Sequence, residues 1–145
     1  EKLLFFSTDD YQSEKELIDQ VTDSFFDVFT NSEGRQPQVN QLFNLFIEDG
    51  MIINQSKGSS EVYTLKEFVA SRDEILKSGK LIDFSEREVS ESTKIFGDIA
   101  NRFLLYEKSG LLDGEHFEIR GVKTLQYIKI AGDWKISSVT WFDEQ

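Results

Sequence analysis

The chain reads as α+β, with three N-terminal helices packed on one face of a strongly bent, mostly antiparallel sheet. Three observations predict this. Capping boxes and apolar stripes of helical period fall in the first half. From Leu81 onward the apolar residues recur with period two. Short Gly-Asp turns separate the later segments, so helices precede a strand meander instead of alternating with strands.

In chain order, residues 1–12 read as a loosely attached N-terminal segment of a single domain spanning 1–145. Ser13 to Glu16 has the form of a capping box, followed by Ile18, Val21, Phe25, Val28 and Phe29 at helical spacing. Asn31 and Gly34 close that segment. Pro37 suits the first turn of a second helix, with Val39, Leu42, Phe43 and Phe46 as its stripe. Asp49-Gly50 turns into a short strand, and NQSKGSS at 54–60 reads as loop. Thr64 to Glu67 is a second capping box, opening a helix with Leu65, Phe68, Val69 and Ile75 or Leu76 inward; Gly79 lies just past its end. Strands are expected at 82–96, 98–107, 116–130 and 133–142. Gly97-Asp98 and Gly132-Asp133 fit type II′ hairpin turns, and KSGLLDGE at 108–115 reads as a longer, looser connection.

Composition removes whole classes of chemistry. There is no cysteine and one histidine, which excludes disulfides and thiolate nucleophiles and leaves no ligand set for structural zinc; no metal and no cofactor are expected. The net charge is −11, of which residues 1–30 hold eight acidic side chains against two lysines. Such a surface repels phosphate backbones and anionic lipid, so neither nucleic acid nor membrane is an expected partner. No apolar run approaches the roughly 20 residues of a membrane span, and a cytoplasmic location is the expectation. Nucleophile-elbow, phosphate-loop and dinucleotide fingerprints are all missing.

The stretches LFNLFIEDGMIIN, VYTLKEFVASR, GDIANRFLLYE and RGVKTLQYIKIAGDWKISSVTW follow one another in an order that resembles the nuclear transport factor 2-like superfamily. That superfamily includes ketosteroid isomerases and SnoaL-like cyclases. The resemblance runs from about Ser13 to Phe142. It implies a cystatin-like cone with a ligand pocket between helices and concave sheet face, and a homodimer through the outer face. Because the superfamily hosts isomerases, cyclases, hydrolases and non-enzymes, the resemblance implies a fold more firmly than an activity.

An isomerase-like site of this kind needs a carboxylate base in an apolar cavity and a phenol or neutral acid opposite it. Tyr106 is the candidate donor, sharing strand parity with Ala100, Arg102 and Leu104. Glu86, Glu88 and Glu91 are available carboxylates, but SEREVSES reads as a solvated polar strand. Asp49 reads as a turn former beside Gly50. The Asp–Arg–Asp constellation of the fold's epoxide hydrolases is not met: Arg102 and Arg120 could supply the arginine, but Asp83 and Asp98 lie near strand ends.

His116, Glu118 and Arg120 share one strand face. In a regular strand that face continues through Val122, Thr124, Gln126 and Ile128. If Gly121 forms a β-bulge, it continues instead through Lys123, Leu125, Tyr127 and Lys129. The bulged reading separates an apolar from a charged face more cleanly and is the expectation, with His116 and Arg120 turned from the cavity. In the last strand Trp134 and Ile136 read as core, with Ser138 and Thr140 following them into the cavity. Trp141 then falls on the outer face, where a partner would cover it. The candidate ligand contacts are therefore Tyr106, Arg102, Gln126, Ser138, Thr140, His116 and Arg120. The leading function is binding of a small organic molecule, with isomerase, cyclase or hydrolase activity open. The alternative is a non-catalytic association module working through its outer sheet face.

Overall fold

A computed structural model describes residues 10–144. It contains helix α1 (Tyr11–Asp27), a 3₁₀ turn (Val39–Gln41) continuing into the single-turn helix α2 (Leu42–Leu45), strands β1 (Phe46–Ser56) and β2 (Ser59–Thr64), and helix α3 (Leu65–Lys77). Strands β3 (Leu81–Phe96), β4 (Ile99–Leu112), β5 (Glu115–Ile130) and β6 (Asp133–Asp143) complete the chain. The six strands form one sheet in the order β2-β1-β6-β5-β4-β3, antiparallel except where β1 runs parallel to β6. Three helices on one face of a bent sheet match the expected class.

Several local expectations are corrected. Helix α1 begins before Ser13, whose hydroxyl lies inside the first turn and donates to the Asp10 carbonyl at 3.1 Å. No side chain caps the helix. Residues 1–9 of the expected loose segment lie outside the described residues, while Tyr11 is helical and its hydroxyl donates to the Thr93 carbonyl at 2.8 Å. The second helix is one turn long, because Phe46 already pairs with Ile136 as strand. The expected loop at 54–60 is a hairpin whose turn is Lys57-Gly58, which adds strand β2. The loose connection at 108–115 is likewise a tight turn: Asp113 and Gly114 both have positive φ, as a type I′ hairpin requires. The last hairpin turns at Ala131-Gly132, again both at positive φ, one residue before the expected position. The Thr64–Glu67 capping box is present with both hydrogen bonds, at 3.1 and 2.9 Å.

Strand parity is where sequence and structure differ most. Strand β5 pairs with β4 in unbroken register through Gly121, which sits opposite Tyr106, so Gly121 is not a bulge. The inward face of β5 is accordingly Phe117, Ile119, Gly121, Lys123, Leu125 and Tyr127. The bulges lie elsewhere. Ser137 is the extra residue of β6 between the pairs Gln126–Ser138 and Tyr127–Ile136. Val89 is the extra residue of β3 between Glu88–Tyr106 and Ser90–Leu105. Each flips parity. On β6 the inward set becomes Trp134, Ile136, Val139 and Trp141, all buried; Trp141 therefore belongs to the core and not to the outer face. On β3 the inward set is Phe84, Glu86 and Glu88, then Glu91, Thr93 and Ile95, so the strand read as solvated turns its glutamates under the helices.

Helix α1 buries Ile18, Thr22, Phe25 and Phe26 against this concave face, with the Thr22 hydroxyl 2.7 Å from that of Tyr127. Asn31 fastens the open end. Its amide donates to the carbonyls of Leu76 (3.1 Å) and Leu81 (2.8 Å), and its oxygen accepts from the Phe84 amide at 2.7 Å. One side chain thus ties the end of α3 to the start of β3.

Gly121 is required for a packing reason. A Cβ there would meet the Tyr106 hydroxyl and lie 2.5 Å from the Phe142 carbonyl oxygen. Gly121→Ala is expected to lower stability by about 1–3 kcal/mol, the scale of overpacking a filled interior. Urea unfolding measures it, and a wild-type midpoint would show that the phenol does not constrain this position.

Candidate functional site

Between α1, α3 and the concave sheet face lies a cavity of about 600 Å³. Its apolar lining is led by the aromatic rings of Phe25, Phe29, Phe68, Phe84, Phe117 and Trp141. Phe68 anchors this wall, packing edge-on to Trp141 and Phe29 with ring centroids 5.8 and 6.0 Å away. These rings face inward because α3 presents Phe68 from its buried stripe and because the Ser137 bulge turns Trp141 to the concave side.

The polar groups converge on one pair. The Lys123 ammonium lies 3.0 Å from the Glu86 carboxylate, and the two side chains are only 5% and 7% exposed. The ammonium also sits 4.4 Å from the Tyr106 ring centroid and 4.6 Å from that of Trp141. Burial pushes the Lys123 ammonium below the ordinary lysine range; Glu86 works in the opposite direction. The ammonium reaches Glu86 Oε2 itself, so the two charges satisfy each other as a buried ion pair. Chemically, the pair offers an oxygen acceptor beside an ammonium donor in a low-dielectric cavity.

Of the seven ligand contacts expected from the sequence, His116 alone touches this cavity. It stands at the rim with its side chain 65% exposed. Tyr106 is fully buried beside the Lys123 ammonium, but its hydroxyl donates to Asp143 and is not aimed at the cavity. Burial, then Asp143, raises its pKa well above the ordinary phenol value. Arg102 lies in a separate buried cluster beneath α1. There it meets Glu88 and Asp19, each at 2.7 Å, while Lys15 pairs with Glu91 at 3.0 Å. Burial opposes the Arg102 charge, yet Glu88 and Asp19 outweigh burial and hold its pKa above the ordinary arginine value. Arg120 points outward, 3.6 Å from Glu107.

Gln126 is exposed on the outer face of β5. Ser138 and Thr140 also leave the cavity, because the Ser137 bulge puts Val139 and Trp141 inward in their place.

Besides His116, the polar lining of the cavity includes Lys123, Glu86 and Arg72, none of them among the expected contacts. Lys123 carries a usable signal: in regular alternation it shares a face with Leu125 and Tyr127, both of them core. Glu86 stands in the sequence only as one carboxylate of a polar strand, since its inward position depends on pairing with Lys108 across β4. Among the described residues no group of three or more acidic or histidine side chains is placed to hold a metal ion. Among the described residues no helix is long and apolar enough to cross a membrane.

Removing one member of a buried pair strands the other charge. Lys123→Met and Glu86→Gln are each expected to cost about 3–5 kcal/mol, and the double variant less than their sum. Urea unfolding of the four proteins completes the cycle; strictly additive losses would show that the two groups do not interact.

No family model matches the sequence, and no curated protein matches it. Solved structures do. An NTF2-like protein from Cytophaga hutchinsonii superposes with a TM-score of 0.69 at 16% identity, over 90% of this chain and 98% of that one. A candidate scytalone dehydratase from Novosphingobium aromaticivorans gives 0.72 at 13% identity, over 96% and 89%. A candidate calcium/calmodulin-dependent kinase II association domain from Exiguobacterium sibiricum gives 0.71 at 10% identity, over 91% and 94%. At these identities the likeness is one of architecture: the chain has the nuclear transport factor 2-like fold, an α+β cone with a helix-covered concave sheet.

Proposed function

We propose that the chain binds a small, largely apolar organic molecule inside the cone. The observation that carries this reading is a cavity of about 600 Å³ lined by Phe25, Phe29, Phe68, Phe84, Phe117 and Trp141, with the buried Lys123–Glu86 pair on its wall. The Lys123–Glu86 pair gives such a ligand a polar point to orient against. The aromatic walls supply the apolar contact, worth about 25 cal/mol per Å² removed from water. Cavities of this size and lining are typical of small-molecule sites. For the isomerase, cyclase or hydrolase chemistry that the fold also hosts, the buried acid–base pair at hand is Glu86 with Lys123.

2-Naphthol is a suitable probe, with a flat apolar body and one donor. Calorimetry is expected to show saturable binding to the wild type, and Ile75→Trp, which fills the cavity wall, is expected to abolish it while thermal unfolding stays cooperative. Equal binding by the variant would place the ligand elsewhere.

A second reading is favoured by the outer sheet face. Leu105, Val122 and Phe142 lie side by side across three strands in register. Phe103 is 56% and Ile99 59% exposed on the same face of β4. A contiguous apolar face of this kind supports a homodimer through the sheet, with or without a ligand in the cone. The solved neighbour described as an association domain is compatible with it. Sedimentation velocity is expected to show a dimer for the wild type and a monomer for Phe103→Glu; a wild-type monomer at tens of micromolar would remove this reading.

A further inference from the structure

Four of the five arginines have carboxylate partners. Arg35 meets Asp27 at 2.8 Å, Arg102 meets Asp19 and Glu88, Arg120 lies 3.6 Å from Glu107, and Arg87 also pairs with Glu107. Arg72 is the exception: among the described residues it forms no ion pair, although the chain carries 27 acidic side chains against 16 basic ones. Arg72 is also the arginine that lines the cavity.

Its guanidinium is held without being neutralised. It lies over the Phe68 ring, 4.5 Å from the centroid, with the Tyr63 ring at 5.5 Å. One of its donors goes to the Ser71 hydroxyl oxygen at 3.1 Å. Stacking of this kind orients the flat group and removes water from one face, while the remaining N–H donors keep no acceptor among the described residues. The wall does carry an acid nearby, Glu61, but its oxygens are engaged by the Asn54 amide at 3.1 Å and the Tyr63 hydroxyl at 3.2 Å. The unmet need on this wall is therefore for an anion with two coplanar oxygens.

Resting on the cavity reading above, we propose that Arg72 is the anion-recognising end of the site and that the natural ligand is a flat aromatic carboxylate. Its carboxyl group takes the guanidinium fork while its ring lies against Phe29, Phe68 and Trp141. A carboxylate fits better than a phosphate because the other cations of the lining, Lys123 and Lys108, are already paired with Glu86 and Asp143, each at 3.0 Å, which leaves the single charge of Arg72 to meet a single negative charge. Glu61 is then a built-in competitor that limits affinity for the anion.

The test is calorimetry with 2-naphthoate, 2-naphthol and 2-naphthyl phosphate, which share one ring system. Wild type is expected to bind naphthoate roughly tenfold or more tighter than naphthol, the scale of a charge-assisted hydrogen bond. Arg72→Gln is expected to erase that preference and leave naphthol binding intact, while Arg72→Lys retains part of it. Glu61→Gln is expected to tighten naphthoate alone. Thermal unfolding of each variant shows that it is folded. A naphthoate-to-naphthol ratio unchanged in Arg72→Gln, or no preference in wild type, overturns the role of Arg72 while leaving the cavity reading standing. Tighter binding of the phosphate than of the carboxylate overturns the ligand class. If none of the three binds, the cavity reading fails first and this inference with it.

Discussion

The Lys123 ammonium places a positive charge at the centre of an apolar cone, and much of the surrounding structure answers to it. A lysine this buried, 4% exposed, is tolerated only with a counter-charge and polarisable surfaces around it. Glu86 supplies the first from the inward face of β3. Tyr106 and Trp141 supply the second through their ring faces. Each is held by something further out: Glu86 by the register of β3 on β4, Tyr106 by its bond to Asp143, Trp141 by the bulge at Ser137. Gly121 belongs to the same set, since only a residue without a side chain leaves room for the Tyr106 hydroxyl on its way to Asp143.

The sheet manages its inward charges in two separate places. Toward the cavity, Lys123 and Glu86 pair with each other, and Arg72, facing them from α3, has aromatic faces but no acid among the described residues. Beneath α1, Arg102, Glu88, Asp19, Glu91 and Lys15 form a closed network in which each charge meets an opposite one. Burial would raise the pKa of Asp19 and of Glu91, but hydrogen bonds and cations overcome it, leaving both below the usual carboxylate range. The closed network is what fastening a helix to a sheet requires. The open one is what a binding site requires. Burial alone would not separate the two, because Arg102 in the closed set is as deeply buried as Lys123 in the open one.

The architecture is legible in the sequence because it rests on local periodicity. Helical spacing in α1 and α3, the Thr64–Glu67 box, and the long period-two segments from Leu81 onward each encode their own secondary structure. The order of those elements is enough to choose an α+β cone over alternating α/β. Even Trp134 and Ile136 read correctly as core, for they precede the bulge that changes parity.

The identity of the residues facing the cavity is a different matter. A bulge adds one residue and reverses every side chain beyond it, and neither Val89, an apolar residue in a polar run, nor Ser137, beside a second serine, carries a residue type that marks a bulge. Gly121, the residue that does look like a bulge, is an ordinary strand position emptied to admit the Tyr106 hydroxyl from the neighbouring strand. No pattern within a few residues contains that contact. Local sequence is thus sufficient for the two long helices, the four long strands and the fold, though not for strand β2. Strand pairing sets Lys123 and Glu86 around the cavity in place of Ser138, Thr140 and Gln126. The reason is physical: secondary structure follows from interactions within a few residues, whereas the facing of a strand depends on the register it takes with its neighbours.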